Sequence, residues 1–276
     1  MASSFLSVLV RSARVAVLAV IMPALAARAD VDPWPSLKKE LFGDRVIEEG
    51  QPGLQLYAPA QAADAALVPI DIRLSPTVVP HVKTLTLVID RNPAPVAARL
   101  SFGGGYRNRT DIGERVIATR VRIDNFSKVR AVLETTDGRL SMVSRFVAGA
   151  GGCSSPASKD AEDALAQLGR VLVKQHVSPV HGESWREGVV MVRHPNFTGM
   201  QMSGTSGTYT PARFVDHLSV TSGTAELLRI EGGISISENP YFRLTYAADT
   251  ASDRLAISGR DTAGVVMAGE AHPGGH

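Results

Sequence analysis

The sequence predicts an all-β protein of two antiparallel β-sandwiches, joined by a glycine-rich segment that carries the single cysteine and by a helix. Two stretches, residues 67–146 and 188–271, alternate apolar and polar side chains with a period of two, which is typical of strands with one buried face. Turn-forming sequences separate these short runs, as in an antiparallel sandwich. Between the two stretches the apolar spacing becomes helical.

Residues 1–29 have the features of a secretory signal peptide. Arg11 and Arg14 precede an apolar run over 15–25, which is too short to cross a bilayer, and Ala27-Arg28-Ala29 matches the small-residue pattern of a signal cleavage site. An N-terminal membrane anchor is the alternative. We expect a periplasmic protein that begins near Asp30 and has no membrane attachment after cleavage.

The N-terminal part of the predicted mature chain, residues 30–60, is expected to be a helical segment. A short helix is predicted from Pro35 to Phe42, where a proline is tolerated in the first turn because its missing N–H would have no partner there.

The first sandwich is predicted over residues 61–147. In 68–74, apolar residues alternate with Pro, Asp and Arg, and the same pattern recurs at Leu85, Leu87 and Ile89. Further short runs contain Thr119, Val121 and Ile123, and Leu140, Met142 and Phe146. Gly103-Gly104-Gly105 lacks the downstream lysine of a phosphate-binding loop and is interpreted as a turn between strands.

A linker is predicted over residues 148–183, followed by a second, smaller sandwich over 184–276. Ser155 suits a helix N-cap and Pro156 the first helical position. Apolar residues follow at helical spacing, at Ala161, Leu165, Leu168 and Leu172. In the second sandwich, Val190 and Val192, and later Phe242, Leu244 and Tyr246, occupy alternate positions.

The glycine-rich segment 148–155 is the most informative part of the linker. Because Gly and Ala restrict the backbone little, the segment is expected to be mobile and narrow, so that it could present the thiol of Cys153 away from the sandwich or insert it into the cleft of a partner. A lone cysteine in an exported protein suggests a reactive or intermolecular role. An incidental free thiol in a linker is the alternative. Since the chain has one cysteine, it can form no internal disulfide.

Several short motifs make the chain resemble the quinoprotein dehydrogenase-associated SoxYZ-like carrier proteins, which are similar to fusions of the two subunits of the sulfur-oxidation carrier. The first half carries Asp32-Pro33-Trp34, Phe42-Gly43-Asp44-Arg45, Val68-Pro69-Ile70, Asp90-Arg91-Asn92-Pro93, Thr119-Arg120-Val121-Arg122, Val129-Arg130-Ala131-Val132 and Gly151-Gly152-Cys153 with Lys159-Asp160. The second half carries Arg193-His194-Pro195, Gly199, Pro211-Ala212-Arg213-Phe214-Val215 and Glu238-Asn239-Pro240-Tyr241-Phe242.

The resemblance implies two immunoglobulin-like sandwiches in the periplasm, SoxY-like then SoxZ-like. It also implies that Cys153 is the thiol that covalently holds a sulfur intermediate while partner enzymes act on it, and that Gly151 and Gly152 are the hinge of this arm. The sequence departs from the carrier arm in two respects. Ser154-Ser155-Pro156 follows the cysteine in place of two glycines, and the cysteine is internal to the chain.

A second group of candidate ligands consists of Met191, His194, Met200 and Met202. Thioether and imidazole groups suit Cu(I), so a periplasmic module that binds copper, or a protein partner without thiol chemistry, is the alternative function. Methionines that fill a core and a histidine that begins a loop explain the same residues. Arg120, Arg122 and Arg130 either form a basic stripe or belong to a solvated sheet face.

Charge and motifs exclude several classes of function. Residues 1–29 carry three arginines and no acidic residue, so the remainder has 26 basic and 27 acidic residues, which gives no electrostatic basis for nucleic-acid binding. No Gly-x-Ser-x-Gly or Cys-x-x-Cys motif is present. A thiol enzyme would need a general base beside Cys153. No histidine lies near Cys153 in the sequence, so the fold would have to bring His176 or His194 close to it.

The sequence therefore predicts a carrier or docking protein without a cofactor of its own, and not an enzyme. Its expected partners are periplasmic redox enzymes, either sulfur-oxidation enzymes or a quinoprotein dehydrogenase.

Overall fold

The computed structural model describes residues 31–108, 113–155, 165–177, 184–202, 207–250 and 253–271. Within these ranges the chain forms fifteen strands in two sheets, so the predicted all-β class is confirmed. The predicted signal peptide lies outside the described residues. In the part of the chain that is described, no helix is long and apolar enough to span a membrane.

The first half of the chain contains eight of the described strands and two short α-helices. The helices are α1 (Trp34–Phe42) and α2 (Gly104–Arg107), and a 3₁₀ turn covers Val79–His81. The strands are β1 (Ile47–Glu49), β2 (Leu54–Tyr57), β3 (Val68–Leu74), β4 (Val82–Ile89), β5 (Val96–Phe102), β6 (Arg115–Val121), β7 (Ser127–Thr135) and β8 (Leu140–Val147).

The second half contributes seven described strands. They are β9 (Val171–Val177), β10 (Trp185–Val192), β11 (Val215–Ser222), β12 (Ala225–Gly232), β13 (Tyr241–Ala247), β14 (Leu255–Asp261) and β15 (Val266–Ala271). Their apolar residues alternate as predicted; in β13, for example, Phe242, Leu244 and Tyr246 are buried.

Both sheets run continuously through the two halves. The nine-stranded sheet has the order β1-β8-β7-β4-β5-β12-β11-β14-β15, and the six-stranded sheet the order β2-β3-β6-β13-β10-β9. The halves are joined by two antiparallel pairs, β5 with β12 and β6 with β13. Their apolar faces enclose one core cluster that draws residues from both halves. Strands β5 and β6 are therefore interior strands of their sheets, each paired with a strand of the second half, and the residues after β6 follow from this junction.

The helix predicted from Pro35 to Phe42 is confirmed as α1. Its Trp34 and Phe42 pack against Val132, Leu140 and Met142, on a cluster separate from the main core. The segment predicted as helical, 30–60, also contains β1 and β2, which pair with β8 and β3 and so extend both sheets.

Two local predictions are wrong. Leu172, assigned to the linker helix, lies in strand β9, where it pairs with Met191; the rest of that helix falls mostly on residues 156–164, outside the described residues. Gly103-Gly104-Gly105, interpreted as a turn between strands, leads into the helical turn α2. Gly103 and Gly105 pack tightly against Glu226 of β12, where a side chain would collide with the neighbouring strand.

Candidate functional site

The glycine-rich segment after β8 lies against the backbone that follows β6. Ala148 exchanges backbone hydrogen bonds with Ala60 and Ala62, each of 2.8 Å. Further along, the N–H of Gly151 donates to the carbonyl oxygen of Asp124 at 2.8 Å, and the N–H of Gly152 donates to that of Ile123 at 2.9 Å. The segment is therefore held by backbone pairing along its length.

Gly151 and Gly152 have different roles in this docking. Gly151 has φ +72°, a left-handed conformation that glycine adopts without steric cost. At Gly152 an added Cβ would overlap the carbonyl oxygen of Ala65 and lie 2.6 Å from that of Ile123. In this conformation Gly152 is not a free hinge, because its lack of a side chain permits close packing against the backbone of Ala65 and Ile123.

Cys153 is fully buried, with 0% of its surface exposed. Its N–H donates to Oδ1 of Asp124 at 3.2 Å, and its carbonyl oxygen accepts a 2.6 Å hydrogen bond from Oγ1 of Thr198. The expectation of an exposed thiol on a mobile arm is thus wrong for this conformation. The physical reason is that the absence of side chains, which makes glycine mobile in isolation, also lets the segment fit a narrow groove.

The surroundings of Cys153 disfavour its thiolate form. Burial is the main cause, the carboxylate of Asp124 is the second, and together they raise the pKa of the thiol to about 12, although the guanidinium of Arg122 opposes the shift. Since the thiolate is the nucleophilic species, the docked cysteine is chemically protected.

Arg122 is a second charged residue, besides Asp124, that hydrogen-bonds to this segment. It is 1% exposed, and its Nη1 donates to the carbonyl oxygen of Gly152 at 3.1 Å. Its Nε and Nη2 are buried and have no hydrogen-bond partner among the described residues. Burial lowers the pKa of this guanidinium, and the negative charges of Glu238, Cys153 and Asp64, in that order, oppose the shift.

The arginines at 120, 122 and 130 form no shared stripe. Arg120 is exposed and lies over the ring of Tyr241, whereas Arg122 is buried in the site. Arg130 is also buried and pairs with Asp90 at 2.8 Å. Both interpretations made from the sequence, a basic stripe and a solvated face, are therefore wrong for two of the three residues.

The second half supplies a loop that contacts the cysteine segment. Thr198 and Gln201 are both buried. Oε1 of Gln201 accepts from the N–H of Thr198 at 2.8 Å and lies 3.0 Å from its Oγ1, so the amide nitrogen Nε2 points elsewhere and is unpartnered in the described part of the chain. Sequence reasoning missed these residues, because an isolated threonine and glutamine in a loop form no pattern.

The residues of the copper alternative are engaged in other contacts. The ring of His194 is fully buried; its Nδ1 accepts from the N–H of Asn196 at 2.9 Å, and its Nε2 faces Oδ2 of Asp261 at 3.3 Å. Burial lowers the pKa of His194 against the opposing effect of Asp261. Met191 lies in β10, and Met202 is exposed and forms a β-bridge with Tyr209.

A thiol enzyme finds no support in the described residues, where no histidine hydrogen-bonds to Cys153. His176 lies in β9 opposite Glu187, and His194 is bound to Asp261. The described residues also hold no cluster of three or more His, Cys, Asp or Glu side chains that could bind a metal ion.

Two family models match the chain, one in each half. The model of the sulfur oxidation protein SoxY matches residues 38–153, and that of the sulphur oxidation protein SoxZ matches residues 177–272. The first match ends at Cys153. Comparison with curated proteins finds no match.

Comparison with solved structures also finds matches, among them the following two. The sulfur carrier protein SoxY from Chlorobium limicola f thiosulfatophilum is 20% identical with a TM-score of 0.34, over 42% of this chain and 91% of that chain. A beta-glycosidase from Bacteroides vulgatus is 9% identical with a TM-score of 0.24, over 79% of this chain and 24% of that chain. On the family models, this protein is a single-chain fusion of a SoxY-like domain and a SoxZ-like domain.

Proposed function

We propose that the protein is a covalent carrier for sulfur oxidation, with Cys153 as the attachment thiol, and that partner enzymes perform the chemistry. The observation that carries the proposal is the position of the chain's one cysteine. It is the last residue of the SoxY match and lies where the SoxZ-like half contacts the SoxY-like half. Both family models are those of sulfur-oxidation proteins.

The described conformation is then the closed state of the carrier. A buried thiol of raised pKa reacts slowly with small molecules, so a group attached there is protected between encounters with enzymes. Loading and unloading require the segment 151–155 to leave its groove. A small number of hydrogen bonds hold it against the residues after β6 and against Thr198, and we propose that the opening is local.

The proposed location is the periplasm, supported by the signal-like features of residues 1–29. Soluble mature protein with an N-terminus near Asp30 is the expected product after cell fractionation and N-terminal sequencing. Recovery of the uncleaved chain in washed membranes would contradict this location.

The function is tested by replacing the thiol and assaying sulfur oxidation in the native host. Cys153→Ala and Cys153→Ser should abolish the carrier-dependent activity, whereas Ser154→Ala, which alters the exposed neighbouring residue, should not. Thermal melts of the purified variants are needed alongside, because Cys153 is buried and an inactive variant must be shown to fold. Full activity in folded Cys153→Ala would contradict the carrier function and would indicate a docking scaffold instead.

The partner is identified by the same variant together with mass spectrometry. Intact protein from the native host should carry an added mass on the peptide that contains Cys153. We propose sulfur-oxidation enzymes as the partners. Loss of quinoprotein alcohol dehydrogenase activity in Cys153→Ala, with sulfur oxidation unchanged, would instead assign the protein to a quinoprotein dehydrogenase.

A further inference from the structure

Two buried side chains that are linked to the cysteine segment by hydrogen bonds, one from each half, have donors for which the described residues provide no partner. Nε and Nη2 of Arg122 come from the SoxY-like half, and Nε2 of Gln201 from the SoxZ-like half. Arg122 is 1% exposed and Gln201 is 2% exposed. A buried donor without a partner destabilises the fold, and a charged one does so more strongly, so three such atoms on two residues beside one short segment need an explanation.

Both side chains are tied to the backbone on either side of the thiol. Arg122 donates through Nη1 to the carbonyl oxygen of Gly152, which is one peptide bond from Cys153. Gln201 is linked through Thr198, whose hydroxyl bonds to the carbonyl oxygen of Cys153. The charge of Arg122 also acts on the thiol itself. The unused donors therefore belong to the immediate surroundings of Cys153.

A neutral thiol is a poor partner for these donors. Its sulfur is a weak acceptor, whereas a guanidinium binds oxyanions strongly and often through two nitrogens. An arginine can donate two parallel hydrogen bonds, from Nε and one Nη, to the oxygens of a sulfonate or carboxylate. In Arg122, Nε and Nη2 have no hydrogen-bond partner among the described residues.

We propose that Arg122 and Gln201 form a buried anion-binding site that holds a negatively charged sulfur group, a sulfonate or a persulfide, attached to Sγ of Cys153. This inference rests on the proposed carrier function and adds the residues that bind the cargo. The acidic groups nearby are Asp124, Asp64 and Glu238. They oppose an anion, so the site acts through directed donors and not through net positive charge.

The test compares two adducts that are installed chemically on the full-length protein under mildly denaturing conditions before refolding. Tetrathionate converts the Cys153 thiolate to Cys–S–S–SO₃⁻ and releases thiosulfate. Methyl methanethiosulfonate converts it to Cys–S–S–CH₃ and releases methanesulfinate. Both products contain one new S–S bond, and they differ in the charged terminal group.

The sulfonate adduct should melt roughly 2–4 °C above the methyl adduct in the wild-type protein, which is the shift expected of one added charge-assisted interaction in a chain of this length. Dithiothreitol should also release the sulfonate several-fold more slowly from wild type than from Arg122→Met. Release of the methyl group should be accelerated less by Arg122→Met, because loss of the Nη1 bond to Gly152 loosens the segment for both adducts alike. Arg120→Met, which alters an exposed arginine two residues away, is the matched control and should behave as wild type.

Arg122→Lys and Gln201→Met separate the two donors, should Arg122→Met fail to fold. Arg122→Lys keeps the positive charge but not the two parallel donors, so it should retain part of the difference in melting temperature between the two adducts. Gln201→Met should reduce that difference. Equal melting temperatures of the two adducts in wild type would overturn the anion site while leaving the carrier function intact. Persistence of sulfur oxidation in Cys153→Ala would instead overturn the carrier function, because the adduct measurements do not depend on the host pathway.

Discussion

The hydroxyl of Thr198 donates a 2.6 Å hydrogen bond to the carbonyl oxygen of Cys153, and this bond joins the last residue of the SoxY match to a loop of the SoxZ-like half. Both residues are buried. Asp124 and Arg122 of the SoxY-like half bind the N–H of Cys153 and the carbonyl oxygen of Gly152 in the same segment. Closure of the carrier segment therefore depends on both halves. Because the halves are fused in one chain, both sets of contacts are always present together.

Labelling of Cys153 in the folded protein should be slow. The thiol is fully buried and its pKa is about 12, so both access and thiolate fraction limit the reaction at neutral pH. The rate of reaction with a maleimide, followed by intact mass, should rise to that of a free cysteine when the protein is unfolded in urea. Labelling at the unfolded rate in native buffer would contradict the docked conformation.

Gly152→Ala should expose the thiol. The new Cβ would overlap the carbonyl oxygen of Ala65, and backbone cannot yield as a flexible side chain can. We expect a loss of about 1–3 kcal/mol in the free energy of unfolding, as for other overpacked sites, together with faster labelling of Cys153.

Gly104→Ala is the control for that substitution. Gly104 is exposed and has no atom within 4 Å of an added Cβ, so stability should change by no more than about 0.5 kcal/mol and labelling should stay at the wild-type rate. Equal labelling of the two variants would show that the docking of Gly152 does not control access to the thiol.

Thr198→Val should shift the protein toward the open state. The hydroxyl of Thr198 donates to Cys153 and also accepts from the N–H of Met200. Loss of the bond to Cys153, of about 0.5–1.5 kcal/mol, predicts labelling of Cys153 that is faster by about two- to tenfold. Thr119→Val is the matched control, since Thr119 is also buried but its hydroxyl has no hydrogen-bond partner in the described residues. If Thr119→Val accelerates labelling as much as Thr198→Val does, the bond to Cys153 is not the cause.

Alkaline pH should destabilise the closed protein through Cys153. The thiol has a pKa near 9 when unperturbed and about 12 in the fold, so between these values the unfolded chain has released a proton that the folded chain still holds. Stability attributable to this residue is complete below pH 9 and is lost as the pH rises toward 12.

The measurement that isolates this effect is the difference in free energy of unfolding between wild type and Cys153→Ala, followed from pH 8 upward. Tyrosines and lysines titrate in both proteins, so their contributions cancel in the difference. The free energy of unfolding of wild type should fall relative to that of Cys153→Ala as the pH rises. A constant difference would mean that the fold does not protect the thiol from ionisation.

Copper binding through His194 is not expected. Both ring nitrogens of His194 are engaged, one by the backbone of Asn196 and the other by Asp261, so a metal would have to displace buried partners. An anaerobic Cu(I) competition titration should show no stoichiometric site that disappears when His194→Gln and Met200→Leu are combined. Such a site would promote the copper-binding alternative.

The sequence by itself determined the class of the fold and many of its elements. The period-two run over Val68–Leu74 coincides with β3, and the short helix before it is α1. These predictions succeed because one buried and one solvated face impose a local alternation on the side chains. The sequence also identified Cys153 as the candidate thiol and the resemblance to a carrier fusion.

Only the tertiary structure decided how the halves join and where the thiol lies. Pairing of β5 with β12 and of β6 with β13 depends on strands far apart in the chain, which no local pattern encodes. Glycines have no side chain to show a buried face, so the groove of Gly152 is defined by Ala65 and Ile123. Arg122 likewise has the sequence pattern of a surface cation, yet it is buried in the structure. Burial depends on the neighbours that surround a residue, and the sequence does not show those neighbours.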